Sequence, residues 1–197
     1  MIATHCQRAD CGAPLHAAGR GRPRKYCSGR CRVAAHRASR AIPAELVALP
    51  RWVRWTPDKR PLQAGSGRHA SITAPATWST HEQAASSPHG AGAGFVLNGD
   101  GVMCLDLNHC IQEGRLARWA ARILARCPAT YVEVSMSGTG LHVFGRGTVR
   151  RARVIRGMNG AAIALHGNRR YIATTGRRWR GSTMHLADLS EIIAVLD

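Results

Sequence analysis

The sequence has few acidic residues and almost no lysine. Its 28 lysine and arginine residues outnumber 11 aspartate and glutamate residues, which gives a net charge of +17, and lysine occurs only at Lys25 and Lys59. Nearly all of the positive charge is therefore guanidinium, a group that matches phosphate geometry and stacks on bases. This composition predicts a polyanionic partner, foremost DNA. A generally basic protein from an arginine-rich proteome is the alternative, because the arginines are spread along the whole chain.

The sequence also lacks long hydrophobic runs. The first ten residues, MIATHCQRAD, contain no apolar segment of the kind that a secretion signal needs, and no apolar run approaches the length of a membrane span. These absences argue against a secreted or membrane-spanning protein, and we expect the chain in the cytoplasm. The seven cysteines are then expected to be free thiols or metal ligands, not a disulfide framework.

Composition divides the chain into three parts. Residues 1–40 are rich in cysteine, histidine and arginine and predict a basic metal-binding module, residues 41–50 a linker, and residues 51–197 a mixed globular domain. Strand and helix patterns in the third part follow one another without regular βαβ alternation, so we predict an α+β fold. The sequence Asn-Gly-Asp-Gly at 98–101 lies between two apolar runs and predicts a hairpin. The segment EGRLARWAARILARC places its apolar residues on one helical face and predicts a helix.

Two cysteine pairs in the first part have the spacing of a zinc site. Zinc prefers four soft ligands in a tetrahedron, and a pair of closely spaced cysteines supplies one edge of it. So short and polar a segment has little apolar material for a core, so metal binding would supply its folding energy. His5 or His36 could replace one thiol. The predicted structural zinc ligands are Cys6, Cys11, Cys27 and Cys31.

The segments around the last cysteine pair are strongly basic. The loop sequence RGRPRK contains Arg-Gly-Arg-Pro, which resembles the core of an AT-hook, although such tetrapeptides also occur by chance in arginine-rich chains. Contact with DNA phosphates is the broader interpretation, and a basic helix over CRVAAHRASR would extend the same surface. The candidate DNA-binding residues are Arg20, Arg22, Arg24, Lys25, Arg32 and Arg37.

Two motifs in the third part point to phosphate and metal chemistry. In MCLDLNHC, strand alternation places Asp106 and Asn108 on one face, and a strand with acids two residues apart can hold divalent metals against a triphosphate. In SGTGLH, a glycine-rich turn leads into a strand with His142; its backbone N–H groups could cradle phosphate, and the imidazole could hydrogen-bond to it. Separately each motif is weak, because a lone strand histidine is more often structural.

Together with WVRW, RHASITAPATW and RRYIATTG, and in this order, the motifs resemble the N-terminal domain of bifunctional DNA primase-polymerases, members of the archaeo-eukaryotic primase superfamily common in phages and plasmids. The resemblance extends from about residue 51 to the C-terminus. It implies a palm like an RNA-recognition-motif sheet and a catalytic set of Asp106, Asn108 and His142, with Mg²⁺ or Mn²⁺ at Asp106. It implies that nucleoside triphosphate is held by Ser137, Gly138, Gly140, His142 and Arg170.

The same resemblance shows that metal-binding acids are missing. Asn108 stands at the second position of the Asp-x-Asp motif, and the third acid's place falls near Ala164. Glu133 is no substitute, because the family commonly has glutamate there too. Since Mg²⁺ depends on carboxylate charge, we expect nucleotidyl transfer to be weak or lost.

Three interpretations follow from these motifs. The first is a primase-polymerase-like replication protein that binds DNA and nucleotide with a degenerate metal site. The second is an active primase-polymerase that uses Mn²⁺ or a single metal. The third is a non-enzymatic, zinc-dependent DNA-binding regulator. We also expect a separate helicase or other replication proteins as partners, because no helicase domain follows in this sequence.

Overall fold

The computed structural model shows a mixed helical and antiparallel sheet protein, so the predicted α+β class is confirmed. The structure describes residues 4–8, 11–15, 23–38 and 41–196. The chain separates into two compact units, Met1–Ala41 and Ile42–Asp197. Among the described residues, no helix has both the length and the apolar character that crossing a membrane requires.

The first unit is built around one helix and a short bridge. The helix α1 is Gly29–Ala38, as predicted for the basic segment that follows the last cysteine pair. Ahead of it, His5 pairs with Pro14, and the Cys6 N–H donates to the Ala13 carbonyl at 2.8 Å. Arg20 and Arg22 lie outside the described residues.

Besides one short 3-10 helix (Pro75–Thr77), the second unit contains four α-helices and eleven strands among its described residues. In chain order they are α2 (Ala44–Val47), β1 (Trp52–Trp55), β2 (Pro61–Leu62), α3 (His81–Ser86), β3 (Gly92–Asn98), β4 (Val102–Asn108), β5 (Ile111–Gln112), β6 (Arg115–Leu116), α4 (Arg118–Arg126), β7 (Tyr131–Val134), β8 (Leu141–Arg146), β9 (Arg153–Arg156), β10 (Ala162–His166), β11 (Asn168–Ala173) and α5 (Ser190–Leu196). One sheet has the order β11-β3-β1-β2, a second has the order β7-β8-β4-β10-β9, and β5 pairs with β6. Residues 41–50, predicted as a linker, contain α2, whose Leu46 is fully buried.

Two large apolar clusters and a smaller one around Val53 and Val96 hold this unit together. One cluster lies between the two large sheets and includes Phe95 of the first and Cys104 of the second. The other lies on the opposite face of the second sheet, where Leu105 packs with residues of α4 and α5 such as Ala120 and Ile192. Successive residues of β4 therefore enter different layers, as the predicted alternation requires.

The predicted hairpin at residues 98–101 is wrong. The strands that flank this turn, β3 and β4, belong to different sheets, and each has hydrogen-bonded neighbours on both of its sides. Their apolar runs reflect burial inside two separate sheets, a pattern that periodicity cannot distinguish from a two-stranded ribbon. Gly99 and Gly101 have positive φ angles of 88° and 94°, which let the chain turn from one sheet to the other. Arg51 forms an ion pair with Asp100 at 2.9 Å and fixes this crossing.

A buried carboxylate joins the two sheets on the side of the cleft described below. Glu133, in β7, is fully buried. Its carboxylate accepts hydrogen bonds from the backbone N–H of Thr175 (3.1 and 3.2 Å) and of Gly176 (2.8 Å), just after β11 of the other sheet. It also accepts one from the Tyr131 hydroxyl at 2.9 Å and lies 3.0 Å from His142 Nδ1. Burial and the neighbouring Glu133 raise the pKa of Tyr131, so its phenol stays a donor.

We expect Glu133→Gln to lower the free energy of unfolding by about 2–4 kcal/mol, because the amide N–H₂ would face groups that are themselves donors. Urea unfolding followed by circular dichroism measures the change. Glu113→Gln, at an exposed position, is the matched control and should stay within about 0.5 kcal/mol of the wild type. A Glu133→Gln protein as stable as this control would contradict the role assigned to the carboxylate.

Candidate functional site

A cleft of about 730 Å³ is lined by residues of both large sheets. It brings together residues that are far apart in the sequence. The candidate site residues that line it are Asp106, Asn108, Ser137, His142 and Arg170. Gly138 and Gly140 belong to the turn that carries Ser137, as described below.

The strand register places Ala164, the position at which a third metal-binding acid was expected, next to Asp106. Along one row of the second sheet, Glu133 lies opposite His142, His142 opposite Asp106, and Asp106 opposite Ala164. Residues directly opposite in antiparallel strands have Cβ atoms about 5 Å apart and point to the same face. Ala164 is therefore the neighbour of Asp106, close enough for a carboxylate at this position to share a metal ion with it.

His142 lies between two carboxylates that differ in their surroundings. Its Nδ1 is 3.0 Å from Glu133 Oε1, and its Nε2 is 4.0 Å from Asp106 Oδ1. Because the buried Glu133 is an acceptor, Nδ1 carries a proton and Nε2 is directed to the side of Asp106 and the cleft. Glu133 thus fixes the orientation of the imidazole, while the Asp106 side chain remains about 20% exposed.

The residues present do not fit a pair of divalent metal ions. Asp106 is the one carboxylate that lines the cleft among the described residues, and Glu133 is buried and already accepts from four groups. In the part of the chain that the structure describes, no group of three or more metal-ligating side chains forms here. Two-metal catalysis needs several carboxylates, and Asn108 and Ala164 contribute none.

Basic side chains form the opposite wall of the cleft. The cations Lys59, Arg169 and Arg170 line it, together with His69. Arg169 has a φ of 51° and lies at a register shift in β11, so two consecutive arginines reach the same cleft. Of these residues only Arg170 is a sequence-predicted site residue. The pair Arg169-Arg170 is visible in the sequence, but the bulge is not. His69 lies within RHASITAPATW, a segment of the family resemblance, but that resemblance assigned no role to it or to Lys59.

The turn between β7 and β8 is held by its own hydroxyl groups. Ser135 Oγ accepts from the Gly140 N–H at 3.1 Å, and Ser137 Oγ lies 2.9 Å from Thr139 Oγ1. Gly138 has a φ of 79°, and a Cβ at Gly140 would lie 2.8 Å from the Leu107 carbonyl oxygen. The two glycines are therefore required by the backbone of the turn, which presents the exposed Ser137 to the cleft.

A second histidine lies near Asp106 but is held neutral. His166, at the end of β10, is opposite Cys104 and buried. Burial lowers its pKa, and the charge of Arg170 lowers it further. His166 therefore adds no positive charge at neutral pH, and no motif in the sequence singled it out.

The four predicted zinc ligands come together in the first unit. Their Sγ atoms all lie within 4.8 Å of one another, with Cys27 at 3.4 Å from Cys31 and 3.6 Å from Cys11. Four sulfurs about 2.3 Å from one zinc ion would be about 3.8 Å apart, so the cluster could hold such an ion. Hydrogen bonds with the thiols of Cys31 and Cys11 raise the pKa of Cys27 to about 12, so without a cation this thiol stays protonated.

The histidine alternatives are not part of this cluster. Neither His5 nor His36 belongs to the group of sulfur ligands among the described residues. The side chains of Arg24, Lys25 and Arg32 are exposed beside it, whereas that of Arg37 lies outside the described part of the chain. In the second unit Cys104 and Cys110 are fully buried, and burial raises the pKa of Cys110 to about 11, as expected of inert packing residues.

Comparison with known proteins supports the primase-polymerase resemblance. A scan against known protein families found no family that matches the chain. The chain is similar to a DNA primase-polymerase of Nitratiruptor phage NrS-1, with 31% identity over 154 residues that cover 71% of this chain and 21% of the phage protein. The chain therefore spans about one fifth of the length of this relative. The similarity is to a DNA primase-polymerase, which agrees with the family that the sequence motifs indicate.

Proposed function

We propose that the chain is a primase-polymerase-like DNA-replication protein that binds DNA and nucleoside triphosphate, with nucleotidyl transfer weak or lost. The similarity to a phage DNA primase-polymerase supports the replication role. The cleft supports the nucleotide role, because it collects the side chains of the two phosphate motifs. In this proposal the second sheet, with Asp106 on its central strand, is a palm of the RNA-recognition-motif kind.

The observation that carries the proposal is the charge of the cleft. One carboxylate, Asp106, faces the cations Lys59, Arg169 and Arg170. In a two-metal enzyme several carboxylates hold Mg²⁺ ions, and those ions neutralise the triphosphate. Here the protein's own cations would neutralise it. Guanidinium–phosphate hydrogen bonds are among the strongest in proteins, so we propose nucleotide binding that needs little Mg²⁺.

The remaining site residues would orient the phosphates. The turn that contains Gly138 and Gly140 uses its own N–H groups internally and would position the Ser137 hydroxyl to donate to phosphate, and His142 would contact phosphate from β8. Without a second carboxylate to hold a metal at the primer hydroxyl, that hydroxyl would not be activated. The proposed site would therefore bind the nucleotide without catalysing its transfer to a primer.

The first unit would bind zinc through its four cysteines and present Arg24, Lys25 and Arg32 to DNA. Buried residues are scarce among the described part of this unit, where Cys6 and Cys31 are the buried apolar ones. Metal binding would therefore supply most of its folding energy. The contribution of Arg20, Arg22 and Arg37 and the presence of a separate helicase partner remain predictions from the sequence.

An active enzyme that uses one metal, or Mn²⁺, is the second candidate. The 4.0 Å separation of His142 Nε2 and Asp106 Oδ1 favours it, since an imidazole and a carboxylate could share one ion that accepts nitrogen ligands. A purely zinc-dependent regulator has less support, because it would have no use for the basic cleft.

Nucleotide binding should depend on the arginines and little on Mg²⁺. We expect ATP affinity, measured by isothermal titration calorimetry with the full chain, to change less than about threefold between EDTA and Mg²⁺ buffers. Arg169→Gln with Arg170→Gln should weaken binding at least about tenfold, and Arg115→Gln with Arg118→Gln, which removes the same charge elsewhere, should not. Binding that disappears in EDTA would contradict the proposal.

Primer extension should be weak and should respond to restored carboxylates. With Mg²⁺ or Mn²⁺, we expect product from the wild type to be close to that of Asp106→Ala. Asn108→Asp combined with Ala164→Glu should raise it, because these changes return two charges beside Asp106. Strong extension by the wild type, abolished in Asp106→Ala, would overturn the degenerate site. Such extension confined to Mn²⁺ would favour the second candidate.

Zinc should bind the cysteine cluster in a ratio of about one ion per chain. We expect Cys27→Ser to reduce the zinc content of protein purified without chelator by more than about half, whereas Cys127→Ser, outside the cluster, should leave it unchanged. Elemental analysis measures the content. Amide exchange should increase after chelation in residues 4–38 and not in the second unit. Zinc-free wild-type protein would exclude the zinc site.

A further inference from the structure

One strand of the second sheet is exposed on both faces. All four residues of β9 are exposed, and so are the flanking positions, so that residues 151–160 form a continuous exposed run. The other strands of this sheet all contain buried residues. Because β10 is the one strand partner of β9 in the part of the chain that the structure describes, the other edge of β9 offers unpaired backbone groups. We call residues 150–158 the β9 arm. Burial in a hydrophobic core therefore does not explain why these residues form a regular strand.

The β9 arm lies in a long segment without negative charge. Residues 134–187 contain ten arginines and no aspartate, glutamate or lysine. Four of these arginines are in the arm: Arg150, Arg151, Arg153 and Arg156. None of the four forms an ion pair or a side-chain hydrogen bond with another residue that the structure describes, whereas Arg51 and Arg146 are paired with acids. Their charge is therefore free for a ligand.

The strand register places one face of the arm beside the cleft. Val154 lies opposite Ala164, the neighbour of Asp106, and Arg156 lies opposite Ala162, the neighbour of Asn108. These side chains share one face of the sheet, and two strand spacings separate β9 from β4 by about 10 Å. Of the β10 residues, Ala162 and Ala164 lie between them on this face. Arg156 and Ala162 also line a second cavity, together with His109 and Trp119. The face that holds Asp106 thus continues through two small β10 side chains to Arg156.

We propose that the β9 arm binds the phosphodiester backbone of DNA next to the cleft. Arg156 contacts a phosphate on the face of the sheet that holds the cleft. Arg153 points to the opposite face and contacts another phosphate at the free edge of β9. Met158 (84% exposed) and Val154 (45%) supply apolar contact to sugars and bases. The proposal rests on the proposed function, since it concerns DNA that is bound beside the cleft. The absence of acids and the excess of unpaired arginines favour DNA over a protein partner.

Fluorescence anisotropy with the full chain tests the arm. The probes are a labelled 20-nucleotide single strand and its duplex, titrated between about 50 and 200 mM NaCl. Arg153→Gln with Arg156→Gln should weaken binding about tenfold and reduce the slope of log affinity against log salt by about 1.4 for the single strand, as expected for two lost phosphate contacts. A loss of affinity for either probe supports the proposed role of the arm, and the comparison of the two probes shows which form of DNA the arm prefers.

Arg118→Gln with Arg122→Gln is the matched control. These arginines are exposed on α4, which covers the opposite face of the sheet, and the change removes the same charge from the same unit. It should leave affinity and slope within about twofold of the wild type. Equal losses of DNA affinity in both variants would overturn the proposal, and so would an arm variant that loses no DNA affinity. The second result would favour an acidic protein as the partner of the arm. If ATP still binds the cleft, such a result leaves the proposed function intact. A wild type that binds neither DNA nor ATP would overturn both.

Discussion

The buried carboxylate of Glu133 is the interaction on which the site depends. A carboxylate without solvent is costly unless several donors surround it. Here the donors come from both sheets: the backbone after β11, the Tyr131 phenol and the His142 imidazole. The same group therefore joins the two walls of the cleft and orients His142. The same carboxylate therefore sets both the position of the two sheets and the orientation of His142, because neither sheet alone could supply all of its hydrogen-bond donors.

This arrangement explains how the fold can be stable without carboxylates at positions 108 and 164. The acid that stabilises the structure, Glu133, is buried, whereas the place beside Asp106 that a third metal-binding acid would take holds the buried Ala164. An alanine packs there without needing donors, and Asn108 at the cleft needs no counter-charge. Having no carboxylate at these two positions thus avoids repulsion among like charges and costs the fold little. In the proposed function, stability and nucleotidyl transfer depend on different acids of the same sheet.

Local patterns in the sequence predicted much of this structure. Alternation in β4, the helix α4 and the thiol spacing each depend on residues close in sequence, and motif spacing pointed to Ala164. The predicted hairpin at 98–101 failed because strand partners are chosen by contacts between distant segments. Lys59 and Arg169 were missed for a related reason: a loop and a bulge bring them to the cleft, and neither the loop's path nor the bulge is encoded in a short motif.

The net charge illustrates the same limit of prediction from the sequence alone. Composition alone indicated a polyanionic partner but could not say which arginines would meet it. In the folded chain Arg51 is committed to Asp100, and Arg177 donates to the carbonyls of the turn after β7. Arg170 lines the cleft, and Arg156 stands unpaired beyond the two alanines. An arginine whose charge is already satisfied within the protein contributes little to binding, because its hydrogen bonds are used. The proposed recognition surface is therefore defined by unpaired guanidinium groups at the cleft and on the β9 arm, and not by the excess of arginine itself.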